Sequence, residues 1–303
     1  MSFVFDTRIS PTNLPKYSPL LQPVALAKAY AHLFLRLSRH YIPNLIAPTV
    51  PMSANARRLL ATFKSDGIIR IDNKFAELAG HIDDCYFARL EGRIPNDGFD
   101  NRELFLIDSN VPKYREGGTE IRANISFKDP KLAPLFFDSD LTAVLYNFYR
   151  RQPFLRNYPV LQKIAYKGDK ASLENGRFHV DHLHQVTIMF LICDLTERDT
   201  HMQYAIASHK KLRIPGSYGT EDVEANFRIY DLIGKKGTVF MFDAGGIHRA
   251  KYMQGTVRKM MTINFTTGHD IVDMRYDKLE NWPHFNEFPT HIQRLLEKVS
   301  IHN

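Results

Sequence analysis

Three histidines and one aspartate lie close together in the segment FHVDHLHQVT, residues 178–187. Imidazole nitrogens and carboxylate oxygens are common ligands of transition metals. In a strand, residues i and i+2 point to the same face, so His179 and Asp181 would present an imidazole and a carboxylate side by side. Because a metal needs more than two ligands, this spacing predicts only the first part of a metal site.

His248 offers a third ligand in the segment FDAGGIHRAK, just after a predicted strand, and Gly245 and Gly246 permit a tight turn before it. Two histidines and one carboxylate leave the opposite side of a metal open, which is typical of non-haem Fe(II) oxygenases. Arg258 follows ten residues later, at the start of another predicted strand. Its planar guanidinium matches a carboxylate, so we expect it to bind the distal carboxylate of 2-oxoglutarate.

Short segments rich in β-branched and aromatic residues dominate the chain from about residue 100. The long apolar run at 185–195 fits a strand buried on both faces, and further strands are predicted at 238–242 and 257–266. Such strands, with turns between them, predict a sandwich or barrel. Upstream, one helix is predicted from Ser53 to a stop at Gly67, then a strand at 68–72 and a helix at 73–90.

Residues 1–50 contain six prolines around one helical pattern at 24–37. Lys28, His32 and Arg36 recur every four residues there and form a polar stripe, with apolar side chains on the remaining surface. We interpret residues 1–50 as a proline-rich N-terminal arm with an amphipathic helix, and residues 51–303 as a single domain. The helix either packs on the core or lies on a membrane surface.

The net charge of +7 favours an anionic partner, such as an acidic lipid, a phosphorylated sugar or a carboxylate. No dense Lys/Arg run with interleaved aromatics is present, so nucleic acid is not an expected partner. The start MSFVFDTRIS lacks the basic and apolar pattern of a signal peptide, and no stretch is long and apolar enough to span a membrane, so we expect neither feature. The two cysteines cannot form a disulfide framework. We expect a cytoplasmic protein, at the inner face of a membrane if the amphipathic helix binds lipid; the oligomeric state stays open.

The chain resembles the phytanoyl-CoA dioxygenase-like (PhyH-like) branch of the Fe(II)/2-oxoglutarate-dependent oxygenases. Four blocks in the expected order carry this resemblance over about residues 51–268: FKSDGIIRI, FHVDHLH, DLTERDTHMQYAIASHK and KKGTVFMFDAGGIHRAKYMQGTVRKMMTINF. The third block lacks the usual Asn-Gly and Pro-Gly, and Ala250 stands where Ser is frequent after the second metal histidine. These departures lie around the pocket and affect substrate identity more than the metal site.

The resemblance implies a mainly β fold with flanking helices around a double-stranded β-helix (jelly-roll, cupin-like) core. It also implies Fe(II) as the metal, with 2-oxoglutarate and O₂ as cosubstrates. The implied iron ligands are His179, Asp181 and His248, and the implied 2-oxoglutarate clamp is Arg258, with Lys259 as the alternative. Further candidates are Tyr166, Lys167 and Thr262 for cosubstrate contact, and Arg249, Lys251, His182 and His184 for substrate contact or support of the metal.

Hydroxylation is the expected reaction, of an anionic small molecule or a membrane glycolipid such as the Kdo sugar of lipopolysaccharide. The alternative is a soluble natural-product or acyl-CoA hydroxylase. Halogenation is disfavoured because Asp181 occupies the position where related halogenases have a small residue. Two other classes stay open: a zinc-dependent hydrolase, since the same three ligands suit zinc, and a barrel that binds ligand without turnover.

Overall fold

Two antiparallel β-sheets form the centre of the computed structural model of this chain. The structure describes Ala27, Ala31 and residues 50–93, 113–115, 118–125, 129–136, 138–150, 153–156, 158–166, 176–181, 185–211 and 213–267. Of the predicted amphipathic helix at 24–37, only Ala27 and Ala31 fall within this part, and both are helical and exposed. The division into arm and domain therefore stays a prediction.

The strands are numbered along the chain as β1 (Ile68–Ile71), β2 (Lys113–Arg115), β3 (Gly118–Asn124), β4 (Phe154–Leu155), β5 (Val160–Tyr166), β6 (Phe178–Val180), β7 (Val186–Leu191), β8 (His201–Ala205), β9 (Gly216–Tyr218), β10 (Ile229–Leu232), β11 (Val239–Asp243), β12 (His248–Lys251) and β13 (Val257–Thr266). The larger sheet has the order β1-β11-β7-β13-β5-β3-β2, and β4 pairs with the end of β13. The smaller sheet has the order β10-β8-β12-β6-β9.

The helices are α1 (Ala54–Asp66), α2 (Ala76–Ile82), α3 (Ala88–Leu90), α4 (Ala133–Phe136), α5 (Ser139–Tyr149) and α6 (Thr220–Asn226). Helices α2 and α3 are joined by a π-helical turn, Asp83–Phe87, so the helix predicted at 73–90 begins later than expected and is locally widened. No helix among the described residues is long and apolar enough to cross a membrane.

Helix α1 begins and ends as the sequence predicts. The Ser53 side chain accepts a hydrogen bond from the Ala56 amide, which caps the first turn. Gly67 ends the helix with φ at 82°, and a Cβ there would lie 2.4 Å from both His209 Nδ1 and the Tyr204 hydroxyl. Glycine is therefore required for both the backbone conformation and the close approach.

Strand β7 is buried along its whole length because the larger sheet is covered on both faces. On one face, Ile188 and Phe190 belong to the same apolar cluster as the α1 side chain of Phe63. On the other face, Met189 shares a cluster with Tyr204 from the smaller sheet. The space between the two sheets is therefore one interior. Helices α1, α2, α4 and α5 pack against the opposite face of the larger sheet. Helix α6 packs against the smaller sheet, where Val223 shares a cluster with Phe178 and Val180.

Side-chain alternation along β13 separates these two environments. Met261, Ile263 and Phe265 belong to the cluster on the helix side. Met260 belongs to the cluster between the sheets, so Arg258, Thr262 and Asn264, which alternate with it, also point into the interior. The strands predicted at 185–195, 238–242 and 257–266 are confirmed, with bounds that differ by a few residues.

His209 joins helix α1 to the loop that follows β8. Its Nε2–H group donates to the Lys64 carbonyl at 3.2 Å, and Nδ1 has no partner among the described residues. Burial lowers the pKa of His209 to about 4, from an ordinary value of 6.5. The unfolded chain therefore binds a proton near pH 6.5, whereas the folded chain does so only near pH 4.

We expect His209 to make the protein less stable as the pH falls from about 6.5 to about 4, by at most on the order of 3 kcal/mol. Urea denaturation of the wild type and of His209→Gln at pH 7 and at pH 4.5 measures this difference. The variant should lose less stability between the two pH values. Asp243, whose pKa burial raises to about 7, acts in the opposite direction but equally in both proteins. Equal losses would contradict the prediction.

Candidate metal and anion site

His179 and His248 lie opposite each other in the antiparallel pair formed by β6 and β12. Directly opposed residues place their side chains on the same face of a sheet, and the two imidazole centroids are 4.5 Å apart. Asp181 follows immediately after β6. One ligand atom from each of the three residues lies within 4.8 Å of the others, so the structure brings the predicted triad together.

Both histidines present Nε2 towards Asp181. His179 Nδ1 lies 3.0 Å from the Arg177 carbonyl oxygen, and His248 Nδ1 lies 3.0 Å from the Gly246 carbonyl oxygen. A carbonyl only accepts, so each Nδ1 carries the proton and each neutral ring has its lone pair on Nε2. These Nε2 atoms lie 3.4 Å and 3.3 Å from the two oxygens of Asp181.

This arrangement concentrates lone pairs and a carboxylate in one place and therefore favours a positive charge there. Burial and the nearby His248 lower the pKa of His179, although Asp181 opposes this. Burial also acts to lower the pKa of His248, but the Asp181 carboxylate outweighs it and leaves that pKa raised. A proton between His248 and Asp181 would occupy the place of a cation. Nitrogen and oxygen donors of this kind fit Fe(II) or Zn²⁺.

The loop before His248 is held from behind by the smaller sheet. Ser208 Oγ accepts a hydrogen bond from the Ile247 amide at 2.7 Å, and the Tyr204 hydroxyl donates to the Asp243 carbonyl at 3.1 Å. A Cβ on Gly246 would lie 1.9 Å from that hydroxyl. This close approach fixes the path of the loop that presents His248.

Arg258 lies on the interior face of β13, and its residue surface is 2% exposed. Its Nη2 group donates to Gln162 Oε1 at 3.2 Å, while Nε and Nη1 have no hydrogen-bond partner among the described residues. Burial lowers the pKa of this guanidinium. A buried cation with unpartnered donors is costly, so the pocket is suited to an anion that binds both groups.

Gln162 connects Arg258 to a buried carboxylate that the sequence analysis did not identify. Its Nε2 group donates to Glu120 Oε1, and Glu120 is 3% exposed. Glu120 in turn forms an ion pair with Arg122 Nε at 3.3 Å, where the Arg122 side chain is 48% exposed. Gln162 and Glu120 could have been predicted only from their position on the interior faces of strands β5 and β3. That position follows from the register of the sheet and not from the local sequence.

A second polar group lies on the interior face of the larger sheet, where β7 pairs with β13. Gln185 Nε2 donates to Thr187 Oγ1 at 3.0 Å and to Asn264 Oδ1 at 3.1 Å. The Gln185 side-chain oxygen accepts from Arg156 Nη1. Thr187 pairs with Phe242, whose ring centroid is 5.4 Å from that of His248. The sequence analysis missed this group; polar residues at alternate positions of apolar strands were the available signal.

The other predicted site residues lie in different places. Tyr166 is buried at the end of β5, with its ring centroid 5.3 Å from that of Tyr252, and Thr262 shares the interior face with Arg258. Their contacts with a cosubstrate stay predictions. Three candidates lie outside the described residues: Lys167, His182 and His184.

Arg249 and Lys251 alternate with His248 along β12 and therefore point away from the interior. Arg249 lies 4.0 Å from the Phe178 ring centroid and donates to Gln203 at 2.6 Å and Glu224 at 2.9 Å. The structure does not bring these two residues to the triad. Lys259, the alternative clamp, lies on the helix side of β13 and bonds Asp83 and Glu91.

No protein-family model matches this sequence, and no curated protein is significantly similar to it. Solved structures do match. One is EctD from S. alaskensis with bound Fe, at 17% identity and a TM-score of 0.52, covering 75% of this chain and 82% of that chain. Another is the epimerase SnoN in complex with Fe3+, alpha ketoglutarate and nogalamycin RO, at 14% identity and a TM-score of 0.50, covering 70% and 84% respectively.

EctD has also been solved with 2-oxoglutarate and 5-hydroxyectoine, and that structure matches at 16% identity with a TM-score of 0.50 over 75% of this chain and 82% of that chain. At such low identities these similarities concern the fold. The predicted fold class, a mainly β jelly-roll core with flanking helices, is confirmed by the two facing sheets and by these matches. Assignment to the PhyH-like branch stays a prediction.

We expect Gly246→Ala to displace the loop that presents His248, because the added methyl group would overlap the buried Tyr204 hydroxyl. Overpacking of this kind costs about 1–3 kcal/mol. Metal titration and thermal denaturation should show weaker metal binding and a lower melting temperature. Gly80→Ala is the matched control: a methyl group added to that helical glycine would have its nearest neighbour atom 3.9 Å away, so metal binding should not change. Unchanged metal affinity in Gly246→Ala would contradict the predicted role of the loop.

Proposed function

We propose that this chain is an Fe(II)- and 2-oxoglutarate-dependent oxygenase that hydroxylates an anionic small molecule. The observation that carries the proposal is the buried Arg258, which faces the same interior as the triad and has two donors without a partner among the described residues. A dicarboxylate with a keto-acid end would place one negative group at Arg258 and the other at a metal bound by His179, Asp181 and His248.

The three ligands would hold Fe(II) on one side and leave the opposite positions open for the cosubstrates. Bound there with 2-oxoglutarate and O₂, iron supplies the oxidising chemistry of the reaction. The chain's own contribution is positional. The carbonyls of Arg177 and Gly246 fix both imidazole tautomers with Nε2 towards the metal position, so neither ring has to reorient to bind it.

Arg258 supports the choice of 2-oxoglutarate over a small neutral ligand. The guanidinium is buried between the apolar cluster of Met260 and Leu191 and the polar side chain of Gln162, and Gln162 bonds only one of its nitrogens. A carboxylate would satisfy its donors by charge-assisted hydrogen bonds. The EctD structures with bound Fe and with 2-oxoglutarate, and the SnoN structure with both Fe3+ and alpha ketoglutarate, share the fold and support the same class.

A zinc-dependent hydrolase is the second candidate, because His179, Asp181 and His248 also suit a tetrahedral zinc with one open position. Hydrolysis at such a site has no need for a buried guanidinium with available donors in the same interior. Arg258 therefore favours the oxygenase. Dependence of turnover on 2-oxoglutarate separates the two classes.

The substrate is proposed to be anionic because the chain carries a net charge of +7. The polar group formed by Arg156, Gln185, Thr187 and Asn264, which faces the same interior as the triad, supports a substrate with hydrogen-bonding groups. The Kdo sugar of a membrane glycolipid stays a prediction, because the amphipathic helix on which this prediction rests lies almost entirely outside the described residues. A soluble natural product or an acyl-CoA is the alternative. Asp181 disfavours halogenation.

The test is succinate formation from 2-oxoglutarate by anaerobically Fe(II)-loaded protein, since such enzymes turn over slowly without their substrate. We expect succinate from the wild type and none from His179→Ala, which lacks a metal ligand. Arg258→Ala should need at least about tenfold more 2-oxoglutarate, because about 1.4 kcal/mol or more is lost with a charge-assisted contact.

Lys259→Gln is the matched control, since it removes a positive charge from the next position of β13 on the opposite face. Its dependence on 2-oxoglutarate should equal that of the wild type. If Lys259→Gln rather than Arg258→Ala needed more 2-oxoglutarate, Lys259 would be the residue that binds its distal carboxylate. Absence of both succinate formation and 2-oxoglutarate binding by the wild type would overturn the proposed class.

A further inference from the structure

No hydrogen bond or ion pair between Arg258 and a carboxylate is present among the described residues; an amide connects it to the carboxylate of Glu120 instead. Its Nη2 group donates to Gln162 Oε1, and Gln162 Nε2 donates to Glu120 Oε1. Both Gln162 and Glu120 are buried, at 8% and 3% exposure. The three side chains form a continuous hydrogen-bonded line along the interior face of β13, β5 and β3. We call the connection from Glu120 through Gln162 to Arg258 the relay.

The register of these strands keeps Glu120 away from Arg258. Arg258 and Glu120 are each paired with Ile164, on opposite sides of it, so they lie two strand spacings or about 10 Å apart at the backbone. Gln162 is the next interior-facing residue of β5 and reaches both in diagonal directions. An apolar residue therefore separates the two charges, and one amide connects them.

The partners fix the orientation of the Gln162 amide. A guanidinium only donates, so the amide oxygen must face Arg258; a carboxylate only accepts, so the amide nitrogen must face Glu120. The Glu120 charge thus stabilises a buried cation without occupying the Nε and Nη1 donors of Arg258. In a direct ion pair, the carboxylate would compete for those donors with any anion that enters the pocket.

We propose that Glu120 is a positioning residue for the anion-binding function of Arg258. Acting through Gln162, it holds the guanidinium and balances its charge, while Nε and Nη1 stay available for the distal carboxylate of a 2-oxo acid. This inference rests on the proposed function. It adds a determinant of cosubstrate selectivity: the relay favours 2-oxo acids that end in a second carboxylate over those that end in a methyl group.

The test compares two probes, 2-oxoglutarate and 2-oxopentanoate, which share the metal-chelating end and the chain length, although only the first has a distal carboxylate. Binding is measured by calorimetry on Zn(II)-loaded protein, so the readout is independent of turnover. In Glu120→Gln, the amide of Gln162 loses its fixed orientation and Arg258 loses its balancing charge. We expect the dissociation constant for 2-oxoglutarate to rise about tenfold and that for 2-oxopentanoate to stay unchanged.

Two further variants separate the relay from simple charge balance. Arg122→Gln removes the exposed end of the line, leaves the bond from Gln162 to Glu120, and should change 2-oxoglutarate binding less than about twofold. The double variant Glu120→Gln/Gln162→Glu keeps the total charge but places a carboxylate directly against Arg258. We expect it to bind 2-oxoglutarate more weakly than the wild type, because this carboxylate competes for the donors.

Each outcome is decisive. If the wild type and Arg258→Ala differ in 2-oxoglutarate binding but Glu120→Gln equals the wild type, the relay is overturned and the proposed function stands. The relay is also overturned if Glu120→Gln weakens the binding of 2-oxoglutarate and 2-oxopentanoate equally. It is overturned as well if the double variant binds 2-oxoglutarate as tightly as the wild type does. If the wild type binds no 2-oxoglutarate, both proposals fall. Should Glu120→Gln not fold, Gln162→Met, which removes the relay without a change of buried charge, gives the same comparison.

Discussion

The antiparallel pairing of β6 with β12 is the constraint on which the candidate site depends. Two residues distant in sequence, His179 and His248, become neighbours only because this register sets them opposite each other. A slip by one residue would turn one imidazole to the outer face of the smaller sheet. The buried contacts of Tyr204 and Ser208 hold the loop before β12, so packing around the smaller sheet also helps to position His248.

Electrostatics links this position to the rest of the interior. The two Nε2 lone pairs and the Asp181 carboxylate converge on one place, and a positive charge there would be favourable. Arg258 is complementary to the opposite charge, because its buried Nε and Nη1 donors have no hydrogen-bond partner among the described residues and an anion would satisfy both. The proposed pair of a metal and a dicarboxylate would match both places at once, whereas either ligand alone would match only one. The two places together therefore support a metal and a dicarboxylate as a pair. This support is stronger than that of the triad for a metal alone or of Arg258 for an anion alone.

The sequence predicts much of this fold because its strands and caps are local signals. The apolar run of β7, the Ser53 cap and the Gly67 stop all depend on residues close together in the chain, and the structure contains each of them. The relay from Glu120 through Gln162 could not be predicted in this way. It depends on pairings among three strands, and neither residue carries a local pattern that distinguishes it from an exposed polar side chain.

Arg249 and Arg258 show why residue type alone does not define a role at this site. Arg249 follows His248 in β12, and Arg258 lies near the start of β13. By residue type alone, each could bind an anion. Alternation turns Arg249 outward, where Glu224 and the Phe178 ring already hold it. It turns Arg258 inward, where no carboxylate among the described residues contacts Nε or Nη1. The net positive charge of the chain can therefore attract an anion to the surface. Recognition of that anion depends on a cation such as Arg258, which the strand register places between the two sheets.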